Sequence, residues 1–275
     1  MNPVNGSGMK RAALLNDLSC FGKCSLTAAI PIVSAWGAEA VPLPTAVLSA
    51  QTVFPGYVLR DFTREMEEFA AHWEELGLEF DCIYTGFFAD GAQIDFARSF
   101  VERFAKKNTL ILVDPVLGDN GALYGCFRPE QVEKMRQLCR MAHVITPNCT
   151  EAALLTGLPM DTPAKELLGA LRTRLGTENI IVTGVHWGRE IGYLARLGEQ
   201  TVSVRHPRVE QTLHGTGDVF ASALCGALLS GEDAPAALER AAEFCNACVE
   251  KTVLRQPSHW YGLAFEDVLK ERNAL

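Results

Sequence analysis

The sequence predicts an α/β fold, a three-layer αβα sandwich around a mostly parallel central sheet. Three observations predict it. Short apolar runs alternate with helical patterns, as buried parallel strands alternate with the helices that cover them. Polar residues collect where those runs end, on the side where open α/β sheets bind ligands. No linker-like composition shift and no internal repeat interrupts the 275 residues. Residues 11–275 are therefore expected to form one domain behind a flexible leader, the polar, glycine-containing segment 1–10.

In chain order, Ala12–Asn16 reads as a buried strand and Cys24–Trp36 as a helix stopped by Gly37. Ala40–Leu43 is a second strand, and Pro44–Tyr57, rich in small polar residues, is expected to be a loop. Arg60–Leu76 carries apolar residues at Phe62, Met66, Phe69, Ala70 and Trp73, the spacing of one buried helical face. Strands at Phe80–Tyr84 and Thr109–Val113 flank a helix at Gln93–Ala105. Gly118–Arg128 reads as a glycine-containing loop, followed by a helix at Glu130–Met141 and a strand at Val144–Thr146. The helix Thr150–Thr156 stops at Gly157, and the helix Ala164–Leu175 leads to a strand at Ile180–Thr183. Gly192–Leu197 and Gln200–Arg205 resemble a hairpin around Gly198. Helices at Val219–Leu229 and Pro235–Thr252 close the core before an amphipathic tail.

Composition narrows the function. Hydrophobic residues at 48% and charged residues at 21% are ordinary for a soluble globular protein. A net charge of −8 argues against nucleic acid, where a basic face supplies most of the affinity. No apolar run approaches the ~20 residues of a membrane span. Nine scattered cysteines, an odd number, fit a reducing cytoplasm better than a disulfide framework. Cys245 and Cys248 form a C-x-x-C inside a helical pattern, with no second ligand pair at zinc spacing; small core residues are the favoured reading.

The stretch Gly215-Thr216-Gly217-Asp218 stands before an apolar helix. Glycines let successive backbone N–H groups turn toward one anion, and the helix N-terminus adds its positive end. An acid in the first turn can then face whatever lies beside a phosphate. Strand ends supply further polar groups: Asp114 with Asp119 beyond it, Thr146 with Asn148 and Glu151, Thr183 with Gly184, and Thr85 with Gly86. Carboxylates beside phosphate-binding glycines suit Mg²⁺, which takes one or two carboxylates plus phosphate oxygens. Two look-alikes fail. Phe21–Ser25 hints at a Walker A loop, but Asp17 stands at its first glycine and Cys24 at its Ser/Thr position. A dinucleotide fingerprint would need glycine where Phe220 stands.

Three ordered segments, Asp114-Pro115-Val116-Leu117-Gly118-Asp119, Ile145-Thr146-Pro147-Asn148-Cys149-Thr150-Glu151 and Gly215-Thr216-Gly217-Asp218, resemble the signature of the pyridoxal kinases, within the ribokinase superfamily. The resemblance runs from about Arg11 through nearly the whole chain. It implies ATP-dependent phosphorylation of the 5′-hydroxyl of pyridoxal, pyridoxine or pyridoxamine, with Mg²⁺ and a monovalent cation such as K⁺ as cofactors, on a ribokinase-like fold in a homodimer. By position, Asp218 would take the hydroxyl proton, and the Gly215, Thr216 and Gly217 backbone would form an anion hole. Asp114, Asn148 and Glu151 match positions that organise Mg²⁺ and phosphates, with Asp114 and Glu151 on the metal. Thr146, Thr183 and Thr216 match nucleotide contacts, and Asp119 and Tyr124 fall in the segment that folds over ATP. Thr52 matches a contact to the pyridine ring. Asp17 stands where a serine commonly meets the ring, Gln51 where a histidine is common and Phe87 where a tyrosine is common.

Competing readings remain at this point. Hydroxymethylpyrimidine kinases usually carry cysteine where this chain has Asp218, together with a glycine-rich N-terminal motif that it lacks. A sugar or nucleoside kinase would share the late G-T-G-D alone. A non-catalytic vitamer-binding protein would have no need of Asp218. His214 and Lys23 are expected to be a structural and a solvated residue, respectively. Asp17 either caps the turn after the first strand or faces the substrate.

Overall fold

The computed structural model describes residues 8–125, 127–255 and 260–272. Most of the expected leader, residues 1–7, lies outside the described residues. Lys10, by contrast, is tied down by an ion pair to Asp81 at 2.8 Å and by its carbonyl, which accepts from the Glu39 N–H.

The chain builds a nine-stranded sheet of strands β1 (Arg11–Ser19), β2 (Glu39–Leu48), β3 (Leu59–Asp61), β4 (Cys82–Thr85), β5 (Leu110–Val113), β8 (Val144–Ile145), β9 (Asn179–Trp187), β10 (Glu190–Leu197) and β11 (Gln200–Pro207). Its order is β11-β10-β9-β8-β5-β4-β1-β2-β3. Pairing is parallel from β2 through β9, and β3, β10 and β11 add antiparallel edges.

Alternation along β1 explains the layers. Ala13 and Leu15 face a core built with α2 (Thr63–Glu75), α3 (Gly91–Phe104), α4 (Pro129–Arg140), α5 (Cys149–Thr156) and α6 (Ala164–Leu175). Ala12 and Leu14 face a second core with α1 (Ser25–Ala35), α7 (Thr216–Leu229), α8 (Ala234–Arg255) and α9 (Phe265–Arg272). A strand covered on both faces has no polar side, which is why these strands read as continuous apolar runs. The expected αβα sandwich is present.

Several boundaries differ from expectation. The loop expected at Pro44–Tyr57 begins inside β2, which continues to Leu48. Pro42 and Pro44 are tolerated because β3 pairs only with Ala46–Leu48, so the outer flank of β2 is open where the prolines stand. The expected helix from Arg60 starts later, at Thr63, because residues 59–61 pair as β3 and the Asp61 carboxylate accepts from the Thr63 N–H at 2.7 Å. The expected hairpin is the outer part of a three-stranded meander, since β9 runs past the left-handed Gly184 (φ +67°) to Trp187. Within Gly118–Arg128 the chain forms a small hairpin of β6 (Gly118–Asp119) and β7 (Ala122–Leu123).

Strand order reverses beside β1. The chain passes from β1 out to β2 and β3, then crosses back to place β4 on the other side of β1. Beyond the carboxyl ends of β1 and β4 lies the crevice such a reversal creates.

Candidate active site

Helix α7 starts against that crevice. Gly215 precedes it with φ +80°, and a Cβ there would stand 2.4 Å from the Lys23 carbonyl oxygen. Only glycine fits this turn. Thr216 and Gly217 are exposed, and a Cβ on Gly217 would meet only Asp114 Oδ2, at 4.0 Å. The first turn of α7 thus opens toward the end of β5. Asp218, half-buried in that turn, accepts the backbone N–H of Ser25 at the start of α1. Ser25 itself is held in the left-handed region at φ +50°, buried. Its strained backbone delivers the N–H to Asp218.

Asp114 leaves β5 with its N–H on the Thr85 carbonyl (2.9 Å), and its Oδ1 accepts from Thr146 Oγ1 (2.9 Å). Oδ2 faces Gly217. Burial raises the Asp114 carboxyl well above the usual carboxylate range, and the Asp218 charge adds to this. Burial also raises Asp218, to about 6; the charge of Asp17 pushes the same way, while the Ser25 N–H and the Asn16 amide hold it down.

Asn148 and Glu151 cap α5 reciprocally. Asn148 Oδ1 accepts from the Glu151 N–H (2.9 Å), and Glu151 Oε2 accepts from the Asn148 N–H (2.8 Å). Glu151 Oε1 accepts from the Leu117 N–H at 3.1 Å, and Asn148 Nδ2 donates to the Gly118 carbonyl at 2.9 Å. Both Glu151 oxygens therefore carry a backbone N–H. Its carboxyl is driven up by burial and by Asp114, against the pull of those N–H groups. Among the described residues no three His, Cys, Asp or Glu side chains converge as a metal centre. Asp114 Oδ2 is the carboxylate oxygen open to an ion, and Glu151 would act at one remove. This donor set suits a magnesium ion that brings its own phosphate and water oxygens.

The remaining expected residues distribute unevenly. Thr183 is half-buried beside Asn148, its N–H on the Pro147 carbonyl (2.9 Å). Tyr124 is 40% exposed, and its phenol is raised first by burial and then by the charges of Glu151, Asp119, Asp114 and Asp218, so it faces the acidic cluster. Asp119 is exposed, with its carboxylate accepting from the Asn120 N–H and Nδ2. Asp17 is buried; its Oδ2 accepts from Ser19 Oγ at 2.9 Å, and its carboxyl is raised by burial against hydrogen bonds from Ser25 and Ser19. Phe87 packs edge-on against Phe127. Thr52 is exposed on the turn beyond β2, whereas its neighbour Gln51 is buried and donates from Nε2 to the Tyr261 carbonyl (2.6 Å).

Of the residues weighed as ambiguous, Lys23 is not a solvated cation. Its Nζ pairs with Glu266 (2.5 Å), donates to the Leu263 carbonyl (2.9 Å) and lies over the Phe265 ring. His214 packs edge-on to Trp260. Cys245 and Cys248 are buried in α8, as core residues, with the Cys245 thiol facing the Thr216 carbonyl at 3.6 Å. Sequence reasoning missed Asn16 and Ser25. Asn16 was within reach, being polar at the end of an apolar strand like the others; no sequence signal marks the left-handed Ser25.

Comparison with known proteins gives the same picture. The family model described as phosphomethylpyrimidine kinase matches residues 67–260. The crystal structure of pyridoxal kinase from Lactobacillus plantarum superposes with a TM-score of 0.89 at 32% identity, covering 95% of this chain and 96% of that one. A Bacteroides thetaiotaomicron protein, provisionally assigned as a phosphomethylpyrimidine kinase and crystallised with pyridoxal, gives 0.90 at 38% identity over 96% of this chain and 95% of its own. The pyridoxine/pyridoxal/pyridoxamine kinase of Bordetella bronchiseptica is 28% identical over 247 residues, 84% of this chain and 86% of the relative. An αβα fold whose polar strand ends converge on a glycine turn, shared with these kinases over nearly its full length, places the chain in the phosphomethylpyrimidine kinase family, as a ribokinase-like phosphotransferase with an alcohol group as acceptor.

Proposed function

We propose that this protein transfers the γ-phosphoryl group of ATP to the 5′-hydroxyl of a B6 vitamer, pyridoxal, pyridoxine or pyridoxamine. The observation that carries the reading is Asp218 beside an open glycine turn: a proton acceptor and an anion cradle within one helical turn. The acceptor class comes from relatives that act on or were crystallised with B6 vitamers.

Phosphoryl transfer passes through a loose transition state, so catalysis is chiefly alignment and charge stabilisation. In this reading the Gly215, Thr216 and Gly217 backbone holds the transferring phosphate. Asp218 orients the hydroxyl and takes its proton as the new O–P bond forms and the bond to ADP breaks. Thr146, Asn148 and Thr183 contact the nucleotide phosphates, and Asp119 and Tyr124 cover them. Asp17, Thr52 and Phe87 line the acceptor side. Asp114, with Glu151 behind it, would hold a magnesium ion, which would supply positive charge to offset the phosphates. A cytoplasmic, homodimeric enzyme is part of the proposal.

The test is a coupled ADP-release assay with Mg-ATP and each of pyridoxal, pyridoxine, pyridoxamine and hydroxymethylpyrimidine, with K⁺ present or replaced. Turnover on a vitamer is expected, and Asp218→Asn should cut kcat by ~10²–10⁴. Turnover on hydroxymethylpyrimidine alone would give the alternative that one relative favours, the hydroxymethylpyrimidine/phosphomethylpyrimidine kinase of Bacillus subtilis. Near-wild-type turnover in Asp218→Asn would remove Asp218 as the base.

A further inference from the structure

The crevice between β1 and β4 contains a donor that the reading above leaves unused. Asn16 lies within β1, two per cent exposed, one residue beyond the last pair with β4, Leu15 with Thr85, and at the register shift against β2. Its Oδ1 accepts two backbone N–H groups, Phe87 at 2.8 Å and Asp17 at 3.0 Å. An amide whose oxygen is committed twice cannot be flipped, so the position of Nδ2 is fixed as well. The amide lies flat over Gly86, where a Cβ would stand 2.3 Å from Nδ2. Nδ2 is buried and makes no hydrogen bond of ordinary length among the described residues; it is turned toward Asp218, near enough to help hold that carboxyl down but not to be satisfied by it. A buried donor left without a full partner opposes folding. Here the strand register, the missing side chain at Gly86 and two backbone bonds hold it in place.

Building on the B6-kinase reading, we propose that Asn16 touches the substrate: its Nδ2 donates to the oxygen of the acceptor hydroxyl whose proton passes to Asp218. An alcohol oxygen carries one proton and two lone pairs. Donation to Asp218 fixes the proton, and acceptance from Asn16 occupies one lone pair, leaving the second to attack phosphorus. The Asn16 amide keeps both its protons, so the step balances as before: O–H to Asp218, O–P formed, P–O to ADP broken. The pair therefore selects a group that donates and accepts at one atom. An ammonium group, with no lone pair, leaves Nδ2 unsatisfied and is rejected.

The test crosses ligand with residue. Binding of pyridoxine and of 5′-deoxypyridoxine, which lacks only the acceptor hydroxyl, is measured by calorimetry without nucleotide. Wild type, Asn16→Asp and Asn16→Ala are compared. Asn16→Asp keeps the oxygen that caps Phe87 and Asp17, and Asn16→Ala removes the donor without adding charge. Wild type is expected to prefer pyridoxine by about tenfold or more, and both variants to lose about tenfold of that preference. Any change in folding, or any effect of charge on the ring, alters both ligands alike and cancels in the ratio. An unchanged ratio in both variants overturns the role of Asn16, and so does a wild type that binds the two ligands equally. A wild type that binds neither ligand and turns over no vitamer overturns the B6 reading, and this inference with it.

Discussion

At Gly215 the backbone is left-handed and a Cβ would meet the Lys23 carbonyl at 2.4 Å, whereas at Gly217 it would meet nothing nearer than Asp114 Oδ2 at 4.0 Å. The two glycines therefore separate structure from chemistry. Gly215→Ala is expected to destabilise the protein by ~1–3 kcal/mol, through backbone strain and a contact that neither neighbour can relieve. Thermal unfolding of the ligand-free protein reads this directly. Gly217→Ala should unfold no earlier than wild type, because alanine is the better helix former. Its methyl group instead occupies the space beside Asp114 where the phosphate is proposed to lie, so kcat should fall. A Gly217→Ala enzyme with normal turnover would take the phosphate away from this turn. Ser25, at φ +50°, is the complementary case: in the same melts Ser25→Gly should gain from the relieved backbone and lose the side-chain hydrogen bond to buried Asp17, and so shift stability less than Gly215→Ala does.

The β6–β7 hairpin is latched to α5 by two hydrogen bonds, Asn148 Nδ2 to the Gly118 carbonyl and the Gly121 N–H to Thr150 Oγ1, both at 2.9 Å. Its tightness demands Gly118, where a Cβ would stand 2.2 Å from the Ala122 carbonyl. Thr150→Val keeps the shape of the side chain and removes one latch. Amide exchange over residues 118–123 should accelerate, and KM for Mg-ATP should rise several-fold with kcat little changed. Unaltered exchange and KM would deny the hairpin a part in covering the nucleotide. This element was invisible in the sequence, because two-residue strands leave no periodicity. The end of β2 was hidden for a different reason: Pro42 and Pro44 read as breakers, and only the open flank of β2 makes them acceptable. In contrast, the apolar strands β4 and β5 and the helices with one buried face were legible, since burial on a regular element dictates its pattern. Asp114, Asn148, Glu151 and Asp218 were legible as polar groups at strand and helix ends. The cap that Glu151 makes with Asn148 is local, at the N-x-x-E spacing of a capping box, but its second bond, from the Leu117 N–H, and the approach of Asn16 to Asp218 depend on contacts between distant segments that no local pattern encodes.

Across the whole molecule, the site gathers Asp17, Asp114, Glu151 and Asp218 in a chain of net charge −8, and burial raises all four carboxyls above their ordinary values. Such concentration of like charge opposes folding in the absence of ligand. The sign follows from linkage. A carboxyl whose folded pKa is raised favours the folded state below its unfolded value, near 4, and that contribution is lost as pH rises through the folded value, about 6 for Asp218. Ligand-free protein should therefore lose stability from this site between about pH 4 and about pH 7. Asp114→Asn removes one buried charge and retains an oxygen for Thr146. It is expected to stabilise the ligand-free protein by ~1–3 kcal/mol at pH 8 and by nothing at pH 4, while turnover collapses. Paired thermal melts of wild type and variant at the two pH values cancel every group the variant leaves unchanged. If Asp114→Asn lowers the melting temperature equally at both, the carboxylate is satisfied where it stands. A gain confined to high pH would instead mean that folding tolerates the charge for the sake of the cation and phosphates it is built to meet.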